Sequence, residues 1–111
     1  MRTYTIEQQY DWHLVKLSDS IGRQEHGTIR AILEGVFDQG AEWVRLSDSQ
    51  LAKNWTVEAI IWNQQPDAVV DYIHNRTSFD QIFCQTLAQA EQVVKNLEQM
   101  DIYWALQRDY T

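Results

Sequence analysis

Three histidines and one cysteine are the side chains in this 111-residue sequence best suited to metal binding or nucleophilic chemistry, and their spacing argues against both. His13, His26 and His74 stand far apart, and none pairs with another or with Cys84 at the short intervals of a structural zinc site. Cys84 falls between Phe83 and Leu87, with no basic residue between Arg76 and Lys95. A reactive thiol needs exposure and a positive neighbourhood to lower its pKa, so Cys84 is expected to be buried and inert. Neither G-x-G-x-x-G nor G-x-x-x-x-G-K-S/T occurs, and only four glycines are present. No catalytic residue, metal or cofactor is therefore expected. A catalytic group assembled only by folding leaves no mark at this level, so the balance tilts away from an enzyme without closing the question.

The carboxylates offer a different chemistry. Glu34, Asp38 and Glu42 recur at steps of four with no basic residue between Arg30 and Arg45. Like charges at i, i+4 oppose a helix by a few tenths of a kcal/mol, and a stripe that opposes folding invites a basic partner. An ordinary solvated face is the competing explanation, with Gly40 ending the helix before Glu42 aligns. Asp19 and Asp48 stand in two Ser-Asp-Ser segments, each following an apolar run. On one rim of a sheet they would offer carboxylates to a cation or a basic side chain, but such residues more often cap their own turns, and that reading is favoured.

Five tryptophans complete the candidates: Trp12, Trp43, Trp55, Trp62 and Trp104. All fall in apolar segments and most are expected in the core. In the run WTVEAIIW, strand alternation sends Trp55 and Trp62 to opposite faces, leaving one of them free to act as an interface anchor. With 9 basic and 16 acidic residues the net charge is −7, which repels phosphate backbones and anionic lipids. Direct nucleic-acid or membrane binding is not expected; a basic protein surface is the expected partner, although solubility alone accounts for much acidity. Homo-oligomerisation is left open. The expected function is a non-enzymatic protein-binding module of inhibitor, immunity or accessory kind, engaging that surface through Glu34, Asp38, Glu42, Asp19, Asp48, Trp55 and Trp62. The alternative is a small-molecule or enzymatic domain, with an aromatic-lined pocket between sheet and long helix where His13, His74 and Asp71 converge. A lone cysteine, an N-terminus (MRTYTIEQQYDW) with no apolar leader and no long apolar window point to the cytoplasm.

The elements that must position these residues form one α+β domain spanning 1–111. About two thirds of the unfolded surface is buried at this mass, enough for a core without disulfides. Strands are expected around Tyr4–Ile6, Trp12–Leu17 and Trp43–Leu46, with SDSIGRQEHG as a loop. Ile29, Ile32, Leu33, Val36 and Phe37 make a helical stripe over about 28–39, with Thr28 as N-cap and Gly40 as the stop. The run at 55–62 alternates as a strand but also fits a helical face, and 68–75 after Pro66 is open between helix and strand. Ser78 with Gln81 reads as a capping box opening a long helix to about Met100. Ile102, Trp104 and Leu106 then alternate as a final strand. The expected architecture is two-layered: a mostly antiparallel sheet of four to six strands, packed by a helix near 28–39 and a long helix near 78–100. Val15–Ser20 echoes Val44–Ser49, and 28–33 echoes 56–61. A worn internal repeat (14–35 with 43–63) would make 56–61 helical, whereas coincidence would leave it a strand.

Overall fold

A two-residue turn closes the first hairpin. Strand β1 (Tyr4–Gln9) and strand β2 (Trp12–Gly22) pair antiparallel from Gln9–Trp12 to Tyr4–Leu17, with Tyr10 at φ 54°. So tight a turn demands that left-handed conformation. The computed structural model describes residues 2–22, 25–50, 59–76 and 78–109. The remaining elements are α1 (His26–Asp38), β3 (Trp43–Ser47), β4 (Ala59–Trp62), α2 (Ala68–Arg76), β5 (Ser78–Cys84) and α3 (Leu87–Asp109). The strands form one fully antiparallel sheet in the order β1-β2-β5-β3-β4, with β5 at its centre.

All three helices cover the same face. Their buried residues, including Ile29, Leu33, Val69, Ile73, Val93 and Leu97, share one apolar cluster with Val15, Leu17, Ile21, Val44, Leu46, Ile61, Phe79, Ile82 and Cys84 from the strands. The α1 stripe is buried as its period requires, and Gly40, at φ 96°, turns the chain out of the helix. The α+β, two-layer reading therefore holds, while several boundaries move. The helix α1 begins at His26, and Glu25, not Thr28, holds the cap position without a side-chain cap bond. The segment read as a loop continues β2 through Gly22, because Ile21 anchors it: after a register shift from Lys16, Ile21 pairs with Phe79 and is fully buried. Residues 59–62 are strand and 68–76 helix; 55–58 lie outside the described residues. The two halves of the 28–33 and 56–61 echo thus fall on unlike elements where both are described, 31–33 in α1 and 59–61 in β4.

The largest correction concerns 78–100. Ser78–Cys84 is the central strand, and the long helix starts at Leu87. Ile82, Phe83 and Cys84 are all buried, Phe83 outside the cluster shared with the helices, so the apolar residues run together instead of alternating and resemble a helical stripe. The capping box exists eight residues later: the Gln89 N–H donates to Thr86 Oγ1 at 3.2 Å, and the Thr86 N–H to Gln89 Oε1 at 3.1 Å. Thr86→Ala is expected to cost about 1 kcal/mol of stability in urea denaturation. The tail read as a strand is the last part of α3. Ala90, Val93, Leu97, Met100 and Trp104 carry its inward stripe at helical steps, which a strand over 102–106 would break. Beyond Met100 the helix shows Ile102, Tyr103 and Leu106 to solvent, each more than half exposed.

Candidate functional site

With every helix on one side, the other face of the sheet carries no helix among the described residues. Its composition follows from the registers. One row across it holds Gln9, Trp12, Trp43 and Trp62; the next holds Glu7, Leu14, Phe83, Arg45 and Ile60; a third holds Thr5, Lys16, Gln81 and Ser47. The face therefore grades from aromatic at one end to polar at the other.

The aromatic end has its own packing. The Trp12 and Trp43 rings meet edge-on with centroids 4.1 Å apart, and Trp12 meets Phe83 at 5.7 Å. The Arg45 guanidinium carbon lies 4.5 Å from the Phe83 centroid and 5.8 Å from that of Trp12. Such stacking is favourable because the ring face is the negative side of its quadrupole. Beneath these groups Leu14 and Phe83 are buried, whereas Trp62 stays 49 % exposed and Ile60 45 %. Asp11 in the hairpin turn and Glu42 just before Trp43 are exposed at this same end. Glu42 is held through its backbone: its N–H donates to Gln85 Oε1 at 2.6 Å, and its carbonyl accepts from the Asn63 N–H at 3.1 Å.

The residues singled out from the sequence are not all gathered here. Trp62 and Glu42 belong to this end of the sheet. Trp55 lies outside the described residues. Glu34, on α1, is half-buried and pairs with Arg30 at 3.1 Å, while Arg30 also meets Asp67. Asp38 is exposed at the last turn of α1, and the turn at Gly40 breaks the step of four before Glu42. Asp19 is exposed on β2. Asp48 is 8 % exposed; its carboxylate accepts from the Gln50 N–H at 2.8 Å and the Ser78 hydroxyl at 3.4 Å, an arrangement that caps its own turn. Trp12, Trp43 and Arg45 were not grouped by sequence reasoning. Alternation alone places Trp43 with Arg45, and Trp12 with Leu14, but only strand order shows that these pairs share the uncovered face.

A second polar cluster ties the N-terminus to α3. Arg2 reaches both Glu25 oxygens at 3.1 and 3.2 Å and Asp101 Oδ1 at 3.1 Å, and the Tyr4 hydroxyl donates to Asp101 Oδ2. Burial alone would lower the Arg2 pKa, but hydrogen bonds to Glu25 and Tyr4 and the charges of Glu25 and Asp101 carry it above its ordinary value. Burial, then the bond to Asp101, raises the Tyr4 phenol above its ordinary 10.0. A raised pKa favours the protonated form in the folded state. The Tyr4 contribution is thus intact below pH 10 and lost as pH rises through the raised value. Tyr4→Phe should flatten the alkaline decline of the thermal midpoint. A depression of about 360 Å³ beside this cluster is lined by Arg2, Thr3, Tyr4, Glu98, Asp101 and Ile102. His13, Asp71 and His74 take no part in it; His13 faces Cys84 in register on β2, and Asp71 and His74 are exposed on α2.

Cys84 is fully buried, as its apolar setting suggested, and burial pushes its thiol up to about 12. Alkylation by iodoacetamide at pH 8 should be at least tenfold slower in the native protein than in denaturant, since the thiolate is the reactive form. Among the described residues no group of His, Cys, Asp or Glu is arranged to hold a metal ion, and no helix is long and apolar enough to cross a membrane. Compared with protein-family models, curated proteins and solved structures, the chain matches none.

Proposed function

We propose that this chain is a non-enzymatic binding module, and that the aromatic end of the uncovered sheet face receives a basic partner protein. The observation that carries this reading is the grouping of Trp12, Trp43, Trp62 and Ile60 on a face that none of the three helices covers. Large aromatic side chains at the centre of a patch are the usual energetic anchors of protein interfaces. The rim supplies the sign of the partner: Asp11 and Glu42 are exposed beside the tryptophans, and the whole chain carries −7. Charge complementarity of this kind speeds encounter more than it tightens the final complex. The acidic helix face of Glu34 and Asp38 contributes to that long-range field but not to the contact patch, because Glu34 is already paired.

The test is affinity capture from source cells with the wild-type protein and with a Trp62→Ser, Ile60→Ser double variant, washed at low and then high salt. Both replaced side chains are about half exposed, so the fold should persist, as circular dichroism would show. A basic protein retained by the wild type, released by salt and absent from the double variant is the expected result. Equal capture by both proteins would place the contact elsewhere.

A further inference from the structure

We infer that the aromatic end of the sheet recognises arginine in particular: a partner guanidinium stacks on Trp62, beside Trp43, at the end of the sheet where Glu42 and Asp11 are exposed. This rests on the docking reading above and specifies the chemistry of its occupant. The molecule already holds one guanidinium in this way, because Arg45 lies over Phe83 at 4.5 Å and beside Trp12 at 5.8 Å. In register, Trp43 faces Trp62 and Arg45 faces Ile60, so the exposed indole stands diagonally next to the occupied seat. Among the described residues no cation lies over Trp62, whose ring is half exposed. Asp11 and Glu42 are exposed at this end and the chain as a whole carries −7, so a second cation is attracted to it.

Arginine suits the seat better than lysine for a physical reason. A guanidinium is planar and weakly hydrated, and it stacks on an indole while its edge donates to a carboxylate. An ammonium is a strongly hydrated point charge and loses more on leaving water. A nucleic acid brings bases that also stack, but its phosphates meet the −7 field of the chain.

Intrinsic tryptophan fluorescence, titrated at low salt with hexa-arginine, hexa-lysine, hexa-glutamate and oligothymidylate, tests the inference in the wild type and in Trp62→Leu. The leucine keeps apolar area and removes the ring. Saturable binding of hexa-arginine is expected, about two- to fivefold tighter than hexa-lysine, with that preference lost in Trp62→Leu. Equal affinity for the two cationic peptides, unchanged by Trp62→Leu, would overturn arginine recognition; so would binding of oligothymidylate. A dimer that dissolves in Trp62→Leu, with no peptide bound, would seat a second copy on the face and also overturn it. The docking reading is judged separately. It survives any of these results if the Trp62→Ser, Ile60→Ser variant still loses its captured basic protein, and falls if that variant captures as the wild type does.

Discussion

Phe79→Ala is expected to cost about 3–5 kcal/mol, much of the stability of a domain this size. The ring is fully buried on the central strand, opposite Ile21 in register and 6.4 Å from the Tyr72 ring. Its removal leaves a cavity where the sheet meets the helices, and the antiparallel partners of β5 limit how far the backbone can collapse into it. The measurement is the urea midpoint at unchanged m-value. The prediction also separates two structures for the same segment. In a helix over 78–100, Phe79 would sit in the first turn, where ends fray and truncation is mild. A loss below about 1 kcal/mol would contradict the central strand.

Asp101→Ala is expected to follow, at about 2–3 kcal/mol, because one deletion strips both Arg2 and Tyr4 of an acceptor. Arg2 and Asp101 are each nearly nine-tenths buried, so neither is rehydrated easily. Glu25 still holds the guanidinium, which keeps the loss below that of a wholly orphaned charge. Asp101→Asn retains an acceptor for Tyr4 and should cost less. The sharper reading is a double-mutant cycle with Arg2→Ala, where a coupling above about 1 kcal/mol is expected for residues in one network. Additive losses would show that the cluster is geometry without energetic consequence.

How far the sequence discloses this molecule depends on where burial is one-sided. Helix α1 packs on one face only, so Ile29 to Phe37 fall on a clean stripe and its extent is readable to within two or three residues. Strand β1 is readable for the same reason, with Tyr4 and Ile6 turned to the core, whereas β2 is readable only to Leu17 because its polar stretch 18–20 hides the return of Ile21 to the core. Strand β5 buries Phe79, Ile82 and Cys84 on one face and Phe83 on the other, and the resulting run has no period to distinguish it from a helix. The Ser78-x-x-Gln81 pattern then reinforced the wrong start, although Thr86-x-x-Gln89 carries the same hydrogen-bonding chemistry and is the one used. Ile102, Trp104 and Leu106 alternate only by ignoring Met100, whose spacing to Trp104 continues the helix.

The candidate site was legible in parts. Alternation in the run 55–62 frees one of Trp55 and Trp62 without saying which; Trp55 lies outside the described residues, and Trp62 is 49 % exposed. Its companions depend on pairing that no local pattern encodes, since Trp12, Trp43 and Trp62 come together only when β5 separates β2 from β3. Spacing also hides partners: Arg30, at the edge of the base-free stretch, reaches Glu34 and Asp67, and Asp48 turns back to the Gln50 N–H.

The central claim is that the aromatic end of the uncovered sheet face is the surface through which this chain binds. Its most direct test follows the indole N–H resonances, assigned by single Trp→Phe variants, as the captured basic partner is added. Trp12, Trp43 and Trp62 should shift or broaden, while Trp104, packed against the core from α3, stays in place. Movement of Trp104 with the three sheet indoles unchanged would assign binding to the exposed end of α3 and contradict the account.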